Sequence, residues 1–335
     1  MPTPLPVFSP SAALSAEEIE QLQAKVRALR HERDAFILAH NYQLPEIQDI
    51  ADYVGDSLEL SRIAVSDKRP VIVFCGVHFM AETAAIFSPE KQVLIPDLGA
   101  GCSLADSITP EQLRAWKAQH PNAVVVMYVN TTAEVKAETD YCVTSSNAVE
   151  VVEHIFREHG PDTEVLFGPD MFLGSYVAKK TGRSLRVWAG ECHVHAGIRP
   201  DDLNAKRAQM PEAELLVHPE CGCSTSVMEY IASGDTSAEN THMLSTGGMM
   251  RRPAETDADA FIVATETGIL HRLQQENPGK QFVAANPKAV CGYMKMITLP
   301  KLRDCLRDVK YEVTVDPVIA ERARRPIERM LAIGK

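Results

Sequence analysis

Apolar and polar segments alternate along the chain with a period of about ninety residues. The first segment, from Ser15 to about Arg30, has apolar residues at helical spacing and predicts a helix. After it, three kinds of apolar run recur in the same order: one that ends in polar residues, one that leads into a helix and one that ends in cysteine. In order, the runs are AFILAHNYQ (35–43), VIVFCGVHFMAET (71–83), KQVLIPDLGAGC (91–102), AVVVMYVNTT (123–132), VLFGPDMFLGSYV (165–177), SLRVWAGEC (184–192), ELLVHPECG (214–222), FIVATETGILHRL (261–273) and KQFVAANPKAVC (280–291).

Helical stretches such as DSLELSRIAVSD and SSNAVEVVEHIFREHG lie between these runs. Strands that alternate with helices predict parallel sheets covered on both faces and joined by right-handed crossovers. The period is too long for a solenoid repeat. We therefore expect an α/β fold of three homologous αβα domains with small parallel sheets, in a pseudo-threefold arrangement around a central active site. The expected domains are 1–101 (completed by the C-terminal segment 292–335), 102–191 and 192–291.

Polar side chains follow the first strand of each repeat. Ligands of open α/β sheets bind beyond the carboxyl ends of the strands, so these side chains are candidates for a binding site. Three such ends that met on one axis would enclose a single site, whereas on three separate domains they would be ordinary loop residues. The candidate pairs are His40 and Tyr42, Tyr128 and Asn130, and His218 and Glu220.

Three hydroxyl-bearing turns precede predicted helices, around Ser57, Ser145 and Thr246. Ser and Thr in such turns are usually helix N-caps. A helix N-terminus also binds anions through its backbone N–H groups, so the two interpretations are compatible. One such turn per repeat would hold a substrate with two carboxylates and a phosphate without many lysines.

Composition narrows the choice of partner and location. The net charge is −11, and no basic stripe compensates it, so we expect no nucleic-acid partner. Small anionic substrates remain compatible with this charge. No apolar run approaches the roughly 20 residues of a membrane helix. The start, MPTPLPVFSP, lacks the basic and apolar segments of a signal peptide, so we expect no membrane association and a cytoplasmic location.

The chain has eight cysteines, which without an export signal are unlikely to form a disulfide framework. Cys102, Cys192 and Cys291 each close a third run and are separated by 90 and 99 residues. Three thiolates at a pseudo-threefold axis could hold three corners of a cubane cluster and leave one iron open. Zinc with three thiolates and an open fourth position is the alternative. The chain contains no CxxC motif, so local spacing does not decide between the two metals.

The other five cysteines have different environments. Cys75 lies inside an apolar run and is expected in the core, and Cys142 and Cys305 lie in or beside helical stretches. Cys221 and Cys223 form a C-x-C motif after a strand, beside His218 and Glu220. This pair could form a strained disulfide or provide a metal ligand, and the sequence leaves both open. The carboxylate and imidazole of the same motif form a plausible general acid/base pair.

Nine short motifs follow one another along the chain: AHNYQ, VGDSLEL, GCSLAD, YVNTTAEVKA, TSSNA, WAGECHVH, HPEC, STGGM and CGYMKM. In this order they resemble the motifs of the quinolinate synthase family. The resemblance runs from about residue 30 to residue 305. It implies three αβα domains around a pseudo-threefold axis, in agreement with the repeat.

The resemblance also implies which residues carry the activity. Cys102, Cys192 and Cys291 correspond to the ligands of one 4Fe–4S cluster with one iron that the protein does not ligate. Groups assigned to proton transfer match Tyr42, Tyr128, His218 and Glu220. Positions that bind iminoaspartate, the pathway intermediate or phosphate match His40, Ser57, Tyr128, Val129, Asn130, Ser145, His218, Pro219, Glu220 and Thr246.

The implied reaction condenses iminoaspartate with dihydroxyacetone phosphate to give quinolinate, phosphate and water, in de novo NAD biosynthesis. It implies dependence on an aspartate-oxidising enzyme for the unstable substrate. One feature departs from some family members: GYMKM follows Cys291, so a CxxCxxC run with a redox role does not carry over. The alternatives are another iron–sulfur or zinc hydrolyase acting on a dicarboxylate, and a non-catalytic iron–sulfur sensor.

Overall fold

The computed structural model describes residues 14–233 and 240–333, with side chains for all of these except residues 229–233. Its first helix, α1 (Ala16–Glu32), begins where the sequence predicts. Ser15 is the N-cap: its Oγ accepts the Glu18 N–H at 3.2 Å, and the Glu18 carboxylate accepts the Ser15 N–H at 2.8 Å. This reciprocal capping box satisfies two N–H groups that a helix start leaves without partners.

Three four-stranded parallel sheets follow, and each is built in the same way. In each sheet the first strand of the repeat lies between the second and the third, and the fourth lies outside the third. The strands of the first sheet are β1 (Ala35–His40), β2 (Tyr53–Gly55), β3 (Val71–Cys75) and β4 (Gln92–Leu94). Those of the second are β5 (Val124–Tyr128), β6 (Tyr141–Val143), β7 (Val165–Gly168) and β8 (Arg186–Val187). Those of the third are β9 (Glu214–Val217), β10 (Thr241–Met243), β11 (Ala260–Ala264) and β12 (Gln281–Ala284).

Helices connect successive strands. The first repeat has α2 (Pro45–Gln48), α3 (Ser57–Ser66) and α4 (His78–Phe87). The second has α5 (Pro110–Gln119), α6 (Ala133–Lys136), α7 (Ala148–His159) and α8 (Met171–Thr181). The third has α9 (His193–Ala196), α10 (Pro200–Gln209), α11 (Ser224–Ser233), α12 (Thr246–Arg251) and α13 (Ile269–Glu276). The chain continues through α14 (Leu299–Asp308) and α15 (Pro317–Ala332).

The central strands form the core. All six residues of β1 and all four of β9 are buried, as are all but the first residue of β5. A strand buried on both faces needs a continuous apolar run rather than alternation, which is the pattern that the sequence has at these positions. The expected α/β fold with three small parallel sheets is confirmed.

The chain divides into two compact units. One unit comprises residues 1–102 and 290–320 and contains the sheet β1–β4. The other comprises residues 103–289 and 321–335 and contains the other two sheets. The three-domain boundaries and the pseudo-threefold arrangement stay predictions. Among the described residues, no helix has the length and apolarity that a membrane crossing requires.

One backbone hydrogen bond recurs in all three repeats, just before each of the three run-ending cysteines. It joins the start of the helix after the third strand to the carbonyl two residues before the cysteine. The bonds are His78 N to Ala100 O at 2.7 Å, Met171 N to Gly190 O at 2.8 Å, and Thr267 N to Ala289 O at 2.9 Å. The approach to Cys102, Cys192 and Cys291 is therefore the same in each repeat.

Candidate active site

The strand register places the candidate residues at equivalent positions. Ala39, Met127 and Val217 pair with the last paired residue of the third strand in their sheets. The residue directly after each of these is His40, Tyr128 or His218. The residue three positions after each is Tyr42, Asn130 or Glu220. The pairing of the second strands likewise makes Ser57, Ser145 and Thr246 equivalent. The repeat that the sequence analysis inferred therefore holds at the level of individual side chains.

Glu220 is at the centre of a buried polar cluster in the larger unit. The Tyr128 hydroxyl donates a hydrogen bond to Glu220 Oε1. His195 Nδ1 lies 3.2 Å from Glu220 Oε2, and His218 Nδ1 lies 3.8 Å from Oε1. Both imidazoles are about 4 % exposed, and their rings stack with centroids 4.7 Å apart. The cluster thus brings together Tyr128, His218 and Glu220, three of the four predicted proton-transfer groups.

The environment fixes the charge states of this cluster. Burial lowers the pKa of His218 to about 3, so its imidazole is neutral at physiological pH. His218 Nδ1 faces the Glu220 N–H at 3.4 Å, and Nε2 faces Ser145 Oγ at 3.2 Å, so the proton belongs on Nε2. Burial opposes the charge of Glu220, but His195, His218 and the Tyr128 hydroxyl together hold the pKa of its carboxyl well below the usual range. A charged carboxylate and a phenol that donates a hydrogen bond to it form a pair that can transfer protons.

His195 belongs to this cluster, although the sequence analysis did not select it. It lies on α9, one helical turn after Cys192, and its Nδ1 is 3.3 Å from the Cys192 sulfur. Its Nε2 is 2.8 Å from Thr265 Oγ1, so both ring nitrogens have polar neighbours. The Cys-x-x-His spacing within WAGECHVH was the available signal, because residues three apart lie on one face of a helix.

Asp170 is a second buried group that the sequence analysis missed. It follows β7, is fully buried, and caps α8 by accepting the Leu173 N–H at 2.7 Å. Burial, and then the negative charge of Glu220, raise the pKa of its carboxyl well above the ordinary range. Its Oδ2 is buried without a hydrogen-bond partner among the described residues. The proximity of Asp170 to Glu220 was not readable from sequence, because fifty residues separate them.

The smaller unit carries the other predicted pair. His40 Nδ1 accepts the Tyr42 N–H at 3.2 Å, which matches the contact between His218 and the Glu220 N–H at equivalent positions. The His40 and Tyr42 rings meet edge to face, with centroids 4.5 Å apart, and both residues are buried. The buried Lys295 ammonium donates to the Tyr42 carbonyl.

The loop after the first strand of each repeat is held by a different contact: an amide hydrogen bond, an ammonium hydrogen bond or a disulfide. Gln48 Nε2 donates to Gln43 O at 2.9 Å in the first repeat. Lys136 Nζ donates to Thr131 O in the second. In the third repeat the residue equivalent to Gln43 and Thr131 is Cys221, which forms a disulfide with Cys223. The disulfide interpretation of the C-x-C motif is therefore confirmed, and the ligand interpretation is wrong for this structure.

The three hydroxyl residues are not the helix caps that the sequence suggested. Asp56 caps α3 and Ser245 caps α12, so Ser57 and Thr246 are the first helical residues instead. The N-cap of α7 is Asn147, which makes no side-chain capping bond, and Ser145 lies two residues before it. GDS and STG each offer two capping residues in succession, and the sequence pattern does not distinguish them.

The remaining candidates for substrate binding lie in the loops after β5 and β9. Val129 and Pro219 are buried, and Val129 donates its N–H to Val143 O at 2.8 Å. Asn130 Oδ1 is buried and has no hydrogen-bond partner among the described residues. A buried acceptor without a donor is costly, and a ligand that donates to it would remove that cost.

The three cysteines proposed as metal ligands are more exposed than the other cysteines outside the disulfide. Among the described cysteines outside the disulfide, Cys102, Cys192 and Cys291 are half-buried, whereas Cys75, Cys142 and Cys305 are buried. Burial raises the pKa of the Cys142 thiol to about 12 and that of Cys305 to about 12, so neither is a ready thiolate. The three accessible thiols fit the sulfur ligands that an iron–sulfur cluster needs. Cys192, His195 and Glu220 also present one ligand atom each, all within 4.8 Å of one another.

Comparisons with known proteins match nearly the whole chain. The model of the NadA family, described as quinolinate synthetase A protein, matches residues 24–332. The chain is 57% identical over 328 residues to a quinolinate synthase of Mycolicibacterium paratuberculosis, covering 98% of this chain and 93% of that protein. It is 58% identical over 316 residues to a quinolinate synthase of Mycobacterium tuberculosis, covering 94% of this chain and 89% of that protein.

Proposed function

Because the chain belongs to the quinolinate synthetase A family, we propose that it condenses iminoaspartate with dihydroxyacetone phosphate to form quinolinate, phosphate and water. The family assignment from the short motifs is confirmed by the matches over nearly the whole chain. The observation that carries the chemistry is the buried cluster of Tyr128, His195, His218 and Glu220. The reaction would supply quinolinate for NAD biosynthesis.

Glu220 and Tyr128 are the proposed proton-transfer pair. The reaction requires protons to move between carbons and oxygens as a ketose isomerises to an aldose, and again as water is lost. A charged Glu220 can accept such a proton, and the Tyr128 phenol that donates to it can pass one on. Neutral His218 presents its Nε2 proton toward Ser145, which suits it to donate to a substrate oxygen there. Tyr42 is the fourth residue proposed for proton transfer.

Substrate carboxylates and phosphate are proposed to bind at the strand ends. Asn130 Oδ1 lacks a hydrogen-bond partner within the described chain, and the substrate amino group is a donor for it. Ser145 and Thr246 provide hydroxyl donors that no helix cap consumes. The full proposed set is His40, Ser57, Tyr128, Val129, Asn130, Ser145, His218, Pro219, Glu220 and Thr246.

We propose that Cys102, Cys192 and Cys291 hold one 4Fe–4S cluster, with one iron left without a protein ligand. When bound, the cluster supplies a Lewis acid that polarises the C–O bond of a departing hydroxyl. The three residues suit this role because they are half-buried cysteines at equivalent positions of the three repeats, outside the disulfide. The substrate iminoaspartate is unstable, so the protein would depend on an enzyme that oxidises aspartate.

The decisive experiment is an anaerobic assay of the purified protein with freshly generated iminoaspartate and dihydroxyacetone phosphate. Quinolinate formed in proportion to enzyme supports the proposal. A cluster-loaded protein that forms no quinolinate contradicts it.

A zinc hydrolyase is the second candidate, and the ligand atoms of Cys192, His195 and Glu220 favour it, since zinc accepts sulfur, nitrogen and oxygen ligands. The visible spectrum separates the two, because a 4Fe–4S protein is brown and a zinc protein is colourless. Metal analysis of the same anaerobic sample should give about four irons per chain for the cluster.

A further inference from the structure

We propose that Lys136 is a positioning residue for substrate binding, through the hydrogen bond from its ammonium to the Thr131 carbonyl. This inference rests on the proposed function. Lys136 is the last residue of α6, and its side chain is fully buried. Its Nζ donates to the carbonyl of Thr131, the residue directly after Asn130. Lysine side chains are almost never fully buried unless they are paired, so the burial of Lys136 indicates a specific role.

The bond closes a short loop that carries two proposed site residues. Thr131 N donates to Val129 O at 2.8 Å, and Thr131 Oγ1 donates to Tyr128 O at 3.2 Å. With the Lys136 contact, Thr131 is therefore held by its N–H, its hydroxyl and its carbonyl. Tyr128 and Asn130 lie on the segment that these three bonds fix.

The first repeat contains the same device with a neutral side chain. Gln48 ends α2 as Lys136 ends α6, and the strand register makes the two positions equivalent. Gln48 Nε2 donates to Gln43 O at 2.9 Å and to Asn41 O at 3.2 Å. Gln43 follows the proposed catalytic Tyr42, as Thr131 follows Asn130. The chain itself thus indicates that an amide donor can replace the ammonium.

The hydrogen bond from Lys136 positions the side chain of Asn130. Its Oδ1 is buried and lacks a hydrogen-bond partner within the described chain, which suits an acceptor kept for a ligand. Without the Lys136 hydrogen bond, the peptide between residues 131 and 132, which carries the Thr131 carbonyl, would rotate toward another donor and shift the backbone that holds Asn130. A displaced Asn130 oxygen would no longer accept a hydrogen bond from the substrate nitrogen. A lost hydrogen bond at a buried acceptor lowers affinity by about 10- to 100-fold, so the loss should appear in substrate affinity.

The test compares three variants of the holoenzyme. Lys136→Met keeps the side-chain length and removes the donor. Lys136→Gln restores a donor, as Gln48 does in the first repeat. Lys180→Met removes an exposed lysine charge of the same unit and is the control for net charge. For each protein the KM for iminoaspartate, whose nitrogen carries the hydrogen-bond donor that quinolinate lacks, is measured anaerobically with kcat and thermal unfolding. Quinolinate binding by the parent is measured by anaerobic calorimetry.

We expect Lys136→Met to weaken iminoaspartate binding, so that its KM rises about 10- to 100-fold, with a smaller effect on kcat. Lys136→Gln should recover most of the affinity, and Lys180→Met should match the parent. A folded Lys136→Met with parental affinity overturns the proposal, and so does an equal loss in the Met and Gln variants. If Lys136→Met does not fold, Lys136→Ala takes its place in the comparison. A parent that neither forms nor binds quinolinate contradicts the proposed function and this inference together.

Discussion

The phenol of Tyr128 donates a hydrogen bond to the carboxylate of Glu220, although ninety-two residues separate them in the chain. Tyr128 is the last residue of β5, and Glu220 lies in the loop after β9. The bond therefore joins the ends of two different sheets of the larger unit. It places a proton donor and a charged acceptor side by side in a buried site.

Replacing Glu220 with Gln should remove nearly all quinolinate formation and leave the cluster content unchanged. The amide cannot accept a proton as the carboxylate does, and groups of this kind contribute about 100- to 10,000-fold. The measurement is the anaerobic rate together with iron content. The exposed Glu212→Gln is the matched control. A rate close to the parent in Glu220→Gln would remove Glu220 from the mechanism.

Thr246→Ala and Ser245→Ala should affect different properties, affinity and stability respectively, although the two residues are adjacent. Ser245 caps α12 by accepting the Gly248 N–H at 3.2 Å, so its loss should lower the free energy of unfolding by about 1 kcal/mol. Thr246 makes no capping bond and should affect affinity for quinolinate instead. Chemical denaturation and calorimetry on both variants check this. Reduced stability with parental affinity in Thr246→Ala would mean a structural role only.

Alanine at any one of Cys102, Cys192 or Cys291 should abolish or severely deplete the cluster. Serine at both Cys221 and Cys223 should leave about four irons per chain, because this pair is joined in a disulfide. Iron and sulfide analysis of anaerobic preparations shows which of the two sets of cysteines holds the cluster. Loss of iron in the Cys221/Cys223 variant, with retention in Cys291→Ala, would reverse the assignment.

The disulfide itself can be counted. Cells lysed anaerobically in denaturant with chelator and alkylating reagent should yield a chain with six alkylated cysteines, the number outside the Cys221–Cys223 disulfide. Prior reduction should raise this to eight, the total in the chain. Intact-mass spectrometry reads both numbers. Eight alkylated cysteines without reduction would show that the pair is a dithiol in the cell.

Acid should destabilise the cluster-free protein partly through His218. The pKa of this residue is about 3 in the folded chain and about 6.5 in an unfolded one. Below about pH 6.5 the unfolded chain therefore binds a proton that the folded chain does not, and stability falls as the pH falls toward 3. His218→Asn should reduce the slope of unfolding free energy against pH between pH 6 and 4, by about 1.4 kcal/mol per pH unit at most. An unchanged slope, equal to that of the exposed His31→Asn control, would contradict the buried neutral state.

The fold could be read from sequence because each repeat carries the same apolar runs in the same order. The candidate residues at strand ends could be read for a related reason: a parallel sheet brings the polar residues after its strands to one edge. Asp170 could not be found in this way, since its role depends on Glu220, fifty residues away. His195 was missed although its Cys-x-x-His spacing was a signal, and the burial of Lys136 cannot be read from a strand-end pattern. The cap positions were off by one residue at Ser57 and Thr246, because adjacent residues were equally good caps.

The backbone hydrogen bond that precedes each of the three run-ending cysteines has a consequence for divergence among the repeats. Donor and acceptor are peptide groups, so the residues that supply the N–H can be histidine, methionine and threonine at positions 78, 171 and 267. Only proline is barred there, since it lacks the N–H. Successive copies of an ancestral unit could therefore drift apart in side chains while each kept its cysteine in place.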